Sequence, residues 1–263
     1  MNKSKVEKIS FYSDILGKEM SMLVYLPECY NSVTPLPVLY FLHGRSGNEN
    51  IIFDVGINTK ADEMIKNSEI KPMIIVCPRF ENSRGLNSSL ICKEVINSKD
   101  NNRIVNLGMY EDYFIKELIP LIDEKFNTIK DRKGRYIGGA SAGGYIALHN
   151  AFRHPNLFSK VGGHMPALEL ILEDEDKIYF KDISVWEKYN PIEIAKSNNI
   201  SSDIKVYLDA GDRDEGRFYE GCLILHKILK EKSINSQNYI FSGNHSAQYI
   251  QSNIQKYLKF YGC

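Results

Sequence analysis

The chain predicts an α/β fold: a mostly parallel, twisted sheet of about eight strands with helices on both faces. Three observations carry that expectation. Short apolar runs such as Val38-Leu39-Tyr40-Phe41-Leu42 and Met73-Ile74-Ile75-Val76-Cys77 read as strands buried on both faces. Segments of helical periodicity alternate with them, as in a parallel sheet whose strands are joined by helical crossovers. One strand-to-helix junction reads Gly139-Ala140-Ser141-Ala142-Gly143-Gly144, where side chains are so small that backbone can pass close to backbone.

The elements follow in order. Lys8–Tyr12 and Ser21–Leu26 open the chain as strands, the second stopped by Pro27. The Val38 and Met73 runs come next, the latter ended by Pro78, with a helix over Asn58–Asn67 between them. Tyr110–Phe126 reads as a longer helix interrupted by Pro120. Strands at Arg135–Gly138, Lys160–Gly163, Ile204–Leu208 and Asn238–Phe241 then alternate with helices at Ala142–Arg153, Arg217–Lys232 and Ala247–Tyr261. Two stretches break the rhythm. Residues 80–106 are polar, rich in Asn and Ser, and read as an irregular excursion above the sheet. Residues 165–202 hold the only tryptophan, Trp186, and an acidic patch (Glu169, Glu173, Asp174, Glu175, Asp176) that reads as a solvated face. The chain is thus expected to be one domain, 1–263, with two insertions capping the site.

Composition narrows the partner. A length of 263 residues suffices for a large core, and 43% hydrophobic with 25% charged residues is ordinary for a globular chain. Lys plus Arg equals Asp plus Glu, 33 each, so there is no electrostatic footprint for nucleic acid or an anionic membrane. A small molecule is the expected partner, and association with further copies of the chain is left open. The charged start, Met1 to Lys8, is followed by no apolar segment, and no run approaches the roughly 18 residues of a membrane span. Cys29, Cys77, Cys92, Cys222 and Cys263 are scattered without metal or disulfide spacing. Reduced thiols in the cytoplasm are the expectation.

The Ser141 turn fits the G-x-S-x-G pattern that exposes a nucleophilic serine on a strained turn. Such a serine needs a base, and the base needs an orienting acid. Acid and histidine should follow the serine in that order. Of the later histidines, His149 and His154 lie on or just past the helix leaving the turn, and His226 falls within a helical pattern. His245, in Ser242-Gly243-Asn244-His245-Ser246, sits in a loop between the last strand and last helix, where the base must be. The acid should follow the preceding strand, where Asp212, Asp214 and Glu215 compete; Asp214 has the reach, Asp212 comes next, and Asp209 lies still in the strand. Two backbone N–H groups must face the developing oxyanion. Ala142 supplies one, and Arg45, following His43-Gly44 after an apolar strand, the other. Four features in the expected chain order indicate a serine hydrolase.

At this point the chain resembles the esterase D-like branch of the α/β-hydrolases. That branch takes in S-formylglutathione hydrolases, tributyrin-type, feruloyl and acetyl-xylan esterases, enterochelin esterases and mycolyltransferases. The likeness runs from Phe11-Tyr12-Ser13-Asp14-Ile15-Leu16-Gly17, the part most like tributyrin-type esterases, to the last helix. Its landmarks are Val24-Tyr25-Leu26-Pro27, Leu42-His43-Gly44, Glu117-Leu118-Ile119-Pro120, the Ser141 turn and His245. Gly211-Asp212-Arg213-Asp214 matches the branch's glycine-x-x-aspartate pattern, which supports Asp214. Two departures stand out: the loop after His43 lacks the cysteine of the S-formylglutathione hydrolases, and Ser246-Ala247 replaces a common aspartate-tryptophan.

The resemblance implies an α/β-hydrolase fold and a carboxylic ester hydrolase acting through an acyl-enzyme, without metal or organic cofactor. Short-chain acyl, sugar or phenolic esters are the expected substrates; the alternatives are a siderophore lactone or acyl transfer by the same residues. Candidate substrate contacts are His43, Tyr110 and His164, with Asn106 beside them and the Arg45 side chain for an anionic group. Trp186 reads as packing for the insertion.

Overall fold

The computed structural model of the protein describes residues 3–197 and 200–263. Residues 1 and 2 of the N-terminal stretch, and residues 198 and 199 of the second insertion, lie outside that description. Among the described residues ten strands form: β1 (Lys5–Ser13), β2 (Lys18–Leu26), β3 (Val38–Leu42), β4 (Ile74–Pro78), β5 (Lys93–Asn97), β6 (Arg103–Leu107), β7 (Arg135–Ala140), β8 (Lys160–His164), β9 (Lys205–Gly211) and β10 (Asn235–Phe241). Eight of them make the central sheet, in the order β1-β2-β4-β3-β7-β8-β9-β10. The sheet is mixed. β1 pairs antiparallel with β2 and β2 antiparallel with β4, while every pairing from β4 to β10 is parallel.

Helices cover both faces, as the strand pattern requires. Val38, Tyr40 and Leu42 of β3 point into one apolar cluster and Leu39 and Phe41 into another, the period of two expected of a strand buried on each side. The second cluster also takes in α1 (Ile51–Asp54), α2 (Ile57–Lys66) and the last helix of the chain. On the first side lie α3 (Tyr110–Asp112), α4 (Ile119–Lys125) and α5 (Ala142–Arg153), the first two joined by a π turn over Tyr113–Leu118. Pro120 therefore does not end the helix. It has no amide N–H to donate to the preceding turn, and the wider turn lies just ahead of it. α6 (Ile183–Tyr189), α7 (Pro191–Lys196), α8 (Phe218–Glu231) and α9 (Ala247–Gly262) complete the set.

The two insertions differ from their sequence reading. The stretch 80–106 is not irregular throughout, because β5 and β6 pair there as an antiparallel hairpin. Its outward residues, such as Glu94, Ile96 and Ile104, have no common polarity, which hides the alternation of a strand. The acidic patch is not one solvated face either. Glu169 and Asp176 are inside, both paired with the buried Arg84 guanidinium, while Asp174 remains exposed beside Lys177. These pairs join one insertion to the other, as do Asn97 Nδ2 donating to the Glu175 carbonyl (2.7 Å) and Tyr179 donating to the Asn82 carbonyl (2.9 Å). Trp186 is buried with the first cluster, in the packing role read for it.

Candidate active site

Ser141 joins β7 to α5 at φ 55° and ψ −119°, a backbone conformation that a side chain rarely adopts. The turn is held on three sides: Ser141 N–H donates to the His164 carbonyl (3.0 Å), and its own carbonyl accepts from Tyr145 (3.1 Å) and Ala167 (3.1 Å). Glycine is required close by. A Cβ on Gly143 would stand 2.3 Å from the Leu42 carbonyl oxygen and 2.6 Å from that of His43. The absence of that Cβ lets α5 press against the end of β3.

Ser141 Oγ lies 2.9 Å from His245 Nε2, and His245 Nδ1 lies 2.8 Å from Asp214 Oδ2. The Asp214 side chain is fully buried and that of His245 about a quarter exposed (26%), so the carboxylate is shielded while the imidazole reaches solvent. Asp214 also accepts from the Gly216 amide (2.9 Å), which fixes its carboxylate. With Nδ1–H donated to Asp214, Nε2 is left to accept the serine proton. The Phe218 ring meets the imidazole edge-on at 5.3 Å. Asp212, the competing acid, points elsewhere: its Oδ1 accepts from the Gly243 amide (2.9 Å) and pins the turn before His245. Glu215 accepts from the His245 amide (3.3 Å) and makes no bond to the ring.

A cavity of about 600 Å³ opens over Ser141. Ile51, Val55, Met165 and Ile250 give it an apolar side, and Arg103 and Glu175 a charged one. Arg45 and Ala142 line it beside the serine, and among the described residues neither backbone N–H has an acceptor within the chain. Gly44 comes so near that an added Cβ would stand 3.2 Å from Ser141 Cβ.

The candidate substrate contacts divide. His43 lines the cavity but is buried, and burial pushes its pKa down. As a neutral ring it donates Nδ1–H to the Gly44 carbonyl (2.8 Å) and accepts the Phe80 amide at Nε2 (2.9 Å), so both nitrogens are used in shaping the loop. Tyr110 and His164 do not line the cavity. Tyr110 is buried, its hydroxyl bonded to Glu81 and to Lys18 Nζ (3.1 Å). His164 lies wholly inside, under the serine turn, where the strand end was expected to open towards substrate. Asn106 accepts the Asn82 amide (3.1 Å) and donates to Glu94 (3.3 Å). The Arg45 guanidinium, expected to be free for an anion, is already paired through Nη1 with Glu175 (2.9 Å) and Asp100 (3.3 Å).

The sequence reading missed two supports of the site. One is Arg103, which clasps Asp100 and donates to Ser46 Oγ (2.5 Å) in the loop after His43. The other is Asp209, taken for a mere strand residue, which is the centre of a buried polar cluster. The spacing of Tyr249, Tyr257 and Tyr261 along one helix face was the signal available for it.

Comparison with known proteins gives the family of the chain. The sequence model of the esterase family, described as "Putative esterase", matches residues 13–261. The chain is 28% identical over 240 residues to an endo-1,4-beta-xylanase/feruloyl esterase of Xylanibacter ruminicola, covering 84% of itself and 29% of that protein. It thus spans under a third of that relative's length. It is 27% identical over 247 residues to an S-formylglutathione hydrolase of Arabidopsis thaliana, covering 88% of itself and 82% of the relative. Among solved structures, a ferulic acid esterase superposes with a TM-score of 0.84 at 22% identity, over 100% of this chain and 99% of that one.

Proposed function

The chain belongs to the esterase family and is a carboxylic ester hydrolase of the α/β-hydrolase fold, and we propose that it works through an acyl-enzyme formed on Ser141. The observation that carries this reading is the unbroken chain Ser141 Oγ, His245, Asp214, at 2.9 and 2.8 Å, opening into the cavity. His245 Nε2 takes the serine proton as Oγ attacks the ester carbonyl carbon. The oxyanion that forms accepts from the Arg45 and Ala142 amides, each such donor lowering the barrier by about 3 kcal/mol. Collapse expels the alcohol, which leaves with the proton held by His245, and the acyl group stays on Ser141. A water molecule, deprotonated by the same ring, then releases the acid and restores the serine. Asp214 orients the imidazole and stabilises its protonated form.

The substrates we propose are small to medium esters of phenols or sugars, held under the two insertions of a single domain. An apolar wall of Ile51, Val55 and Ile250 suits an acyl or aryl group, and the charged side chains of Arg103 and Glu175 suit a hydroxylated one. The test is hydrolysis of p-nitrophenyl esters from acetate to decanoate. Activity is expected to peak at short chains and to fall at least about a thousandfold in Ser141→Ala. Undiminished turnover in that variant would overturn the reading.

A further inference from the structure

Beneath the Ser141 turn, the Asp209 carboxylate is wholly buried and is met by three donors. His164 Nδ1 lies 3.1 Å from Oδ1, and the hydroxyls of Tyr249 and Tyr257 lie 2.8 Å each from Oδ2. The other nitrogen of His164 faces the Tyr261 hydroxyl at 3.1 Å, and its ring stacks on Tyr257 with centroids 3.6 Å apart. Burial pushes the His164 pKa down, so the ring is neutral, with Nδ1–H given to Asp209 and Nε2 accepting from Tyr261. A carboxylate without partners is strongly disfavoured in such a place, and here both oxygens are engaged by those donors.

The cluster reaches both ends of the proton path. On one side, the His164 carbonyl receives the Ser141 amide (3.0 Å), and the Asp209 carbonyl receives that of Met165 (2.8 Å), a residue of the cavity wall. On the other side, Tyr249 lies in the first turn of the helix that follows His245. Its ring presses on the loop that presents that histidine: a Cβ on Gly243 would stand 2.7 Å from Tyr249 Cδ2. Asp209 itself does not line the cavity and touches neither Ser141 nor His245.

We propose that Asp209 is a positioning residue for the ester cleavage: its carboxylate ties the strand end that supports Ser141 to the helix that braces His245, and so sets their separation. This rests on the acyl-enzyme mechanism given above. The test compares wild type with Asp209→Asn, Tyr249→Phe and Tyr257→Phe on p-nitrophenyl acetate, alongside fluorophosphonate labelling of Ser141 and the downfield NMR signal of the His245 Nδ1 proton. In Asp209→Asn, kcat is expected to fall at least about tenfold with KM within about twofold, because misplacement of a base costs rate rather than binding. Labelling should slow in step, and the His245 proton should broaden or shift. Each tyrosine variant keeps its ring and loses one donor, so its kcat should fall about threefold.

Should Asp209→Asn fail to fold, the double variant Tyr249→Phe/Tyr257→Phe decides. A tenfold loss of kcat there supports the proposal, and wild-type kcat overturns it. Folded variants with wild-type kcat and an unaltered His245 proton, or with a loss confined to KM or melting temperature, likewise overturn it. If the wild type labels at Ser141 but cleaves no ester, the hydrolytic reading fails by itself. Labelling rate and the His245 proton then still decide the role of Asp209.

Discussion

Arg45 Nη1 stands 2.9 Å from Glu175 Oε1, so the residue that lines the cavity just after His43-Gly44 is fastened by its side chain to the second insertion. Asp100 of the first insertion takes the same nitrogen at 3.3 Å. On the mechanism proposed above, the backbone of Arg45 and its side chain have separable duties, one towards the reacting carbonyl and one towards the two insertions.

The first prediction follows from that division. Arg45→Ala keeps the amide, and the partly exposed ion pairs that it loses are each worth about 0–1 kcal/mol. Neutral and acidic p-nitrophenyl esters should lose kcat/KM alike, by no more than about fivefold. A loss restricted to the acidic esters would show that the guanidinium leaves its two carboxylates to bind substrate.

Gly143 offers a sharper perturbation. A methyl group there would meet the Leu42 and His43 carbonyl oxygens at 2.3 and 2.6 Å, both backbone atoms that cannot rotate away. Gly143→Ala must push α5 off the strand end and carry the loop of His43 to Arg45 with it. The expected result is a kcat reduced at least about a hundredfold, from misplacement of the oxyanion donors, in whatever protein still folds. Near-normal kcat on p-nitrophenyl acetate would mean that the loop tolerates the shift.

Legibility in the sequence tracked how local the physical cause was. The serine turn was readable because strain and close approach confine residues 139–144 to small side chains over six consecutive positions. His245 followed from chain order, and Asp214 from its place three residues past Gly211, where a loop leaving β9 can reach the imidazole. Strand alternation was readable from apolar runs; the observed strands β7 to β10 each run one to three residues past those runs at one end, with β9 starting one residue later than expected. What escaped notice depends on distant pairing. Asp209 looked like a strand residue because its partners lie 45 positions earlier and 40 and 48 later. Glu169 and Asp176 looked solvated because the cation that draws them inward, Arg84, lies in the other insertion.

That cation supplies the third prediction. Arg84 and Asp176 are each about 5% exposed at the side chain, and Glu169 is 12% exposed. Arg84→Met would leave two carboxylates in a buried place without a counter-charge, at a cost of about 3–5 kcal/mol. Adding Glu169→Gln and Asp176→Asn should restore most of that loss, because neutral amides avoid the desolvation penalty. Urea midpoints of the single and triple variants give the measurement. A triple variant no more stable than Arg84→Met would show that packing of the arginine stem, and not charge, holds the insertions together.

Acid should destabilise the fold through histidines that it keeps neutral. His149 is fully buried, and burial pushes its pKa from 6.5 down to about 3; His43 and His164 are lowered by the same cause. A folded-state pKa below the unfolded one means that the unfolded chain binds more protons between the two values. Stability is then whole above pH 6.5 and is lost as pH falls, for His149 through the window from 6.5 towards 3. Each such histidine steepens the decline by up to about 1.4 kcal/mol per pH unit. Glu111 adds a separate, lower window. Burial alone would raise its pKa, but hydrogen bonds from His154 and Arg153 outweigh it and hold the group at about 2, so its contribution is lost only below 4.5. Unfolding free energies at pH 8, 7, 6 and 5 should therefore be nearly level at first and then fall. His149→Gln should be less stable at pH 8 yet show a shallower decline between 6.5 and 5, by about one proton's worth of slope. An unchanged slope in that variant would mean that His149 takes up its proton without unfolding the chain.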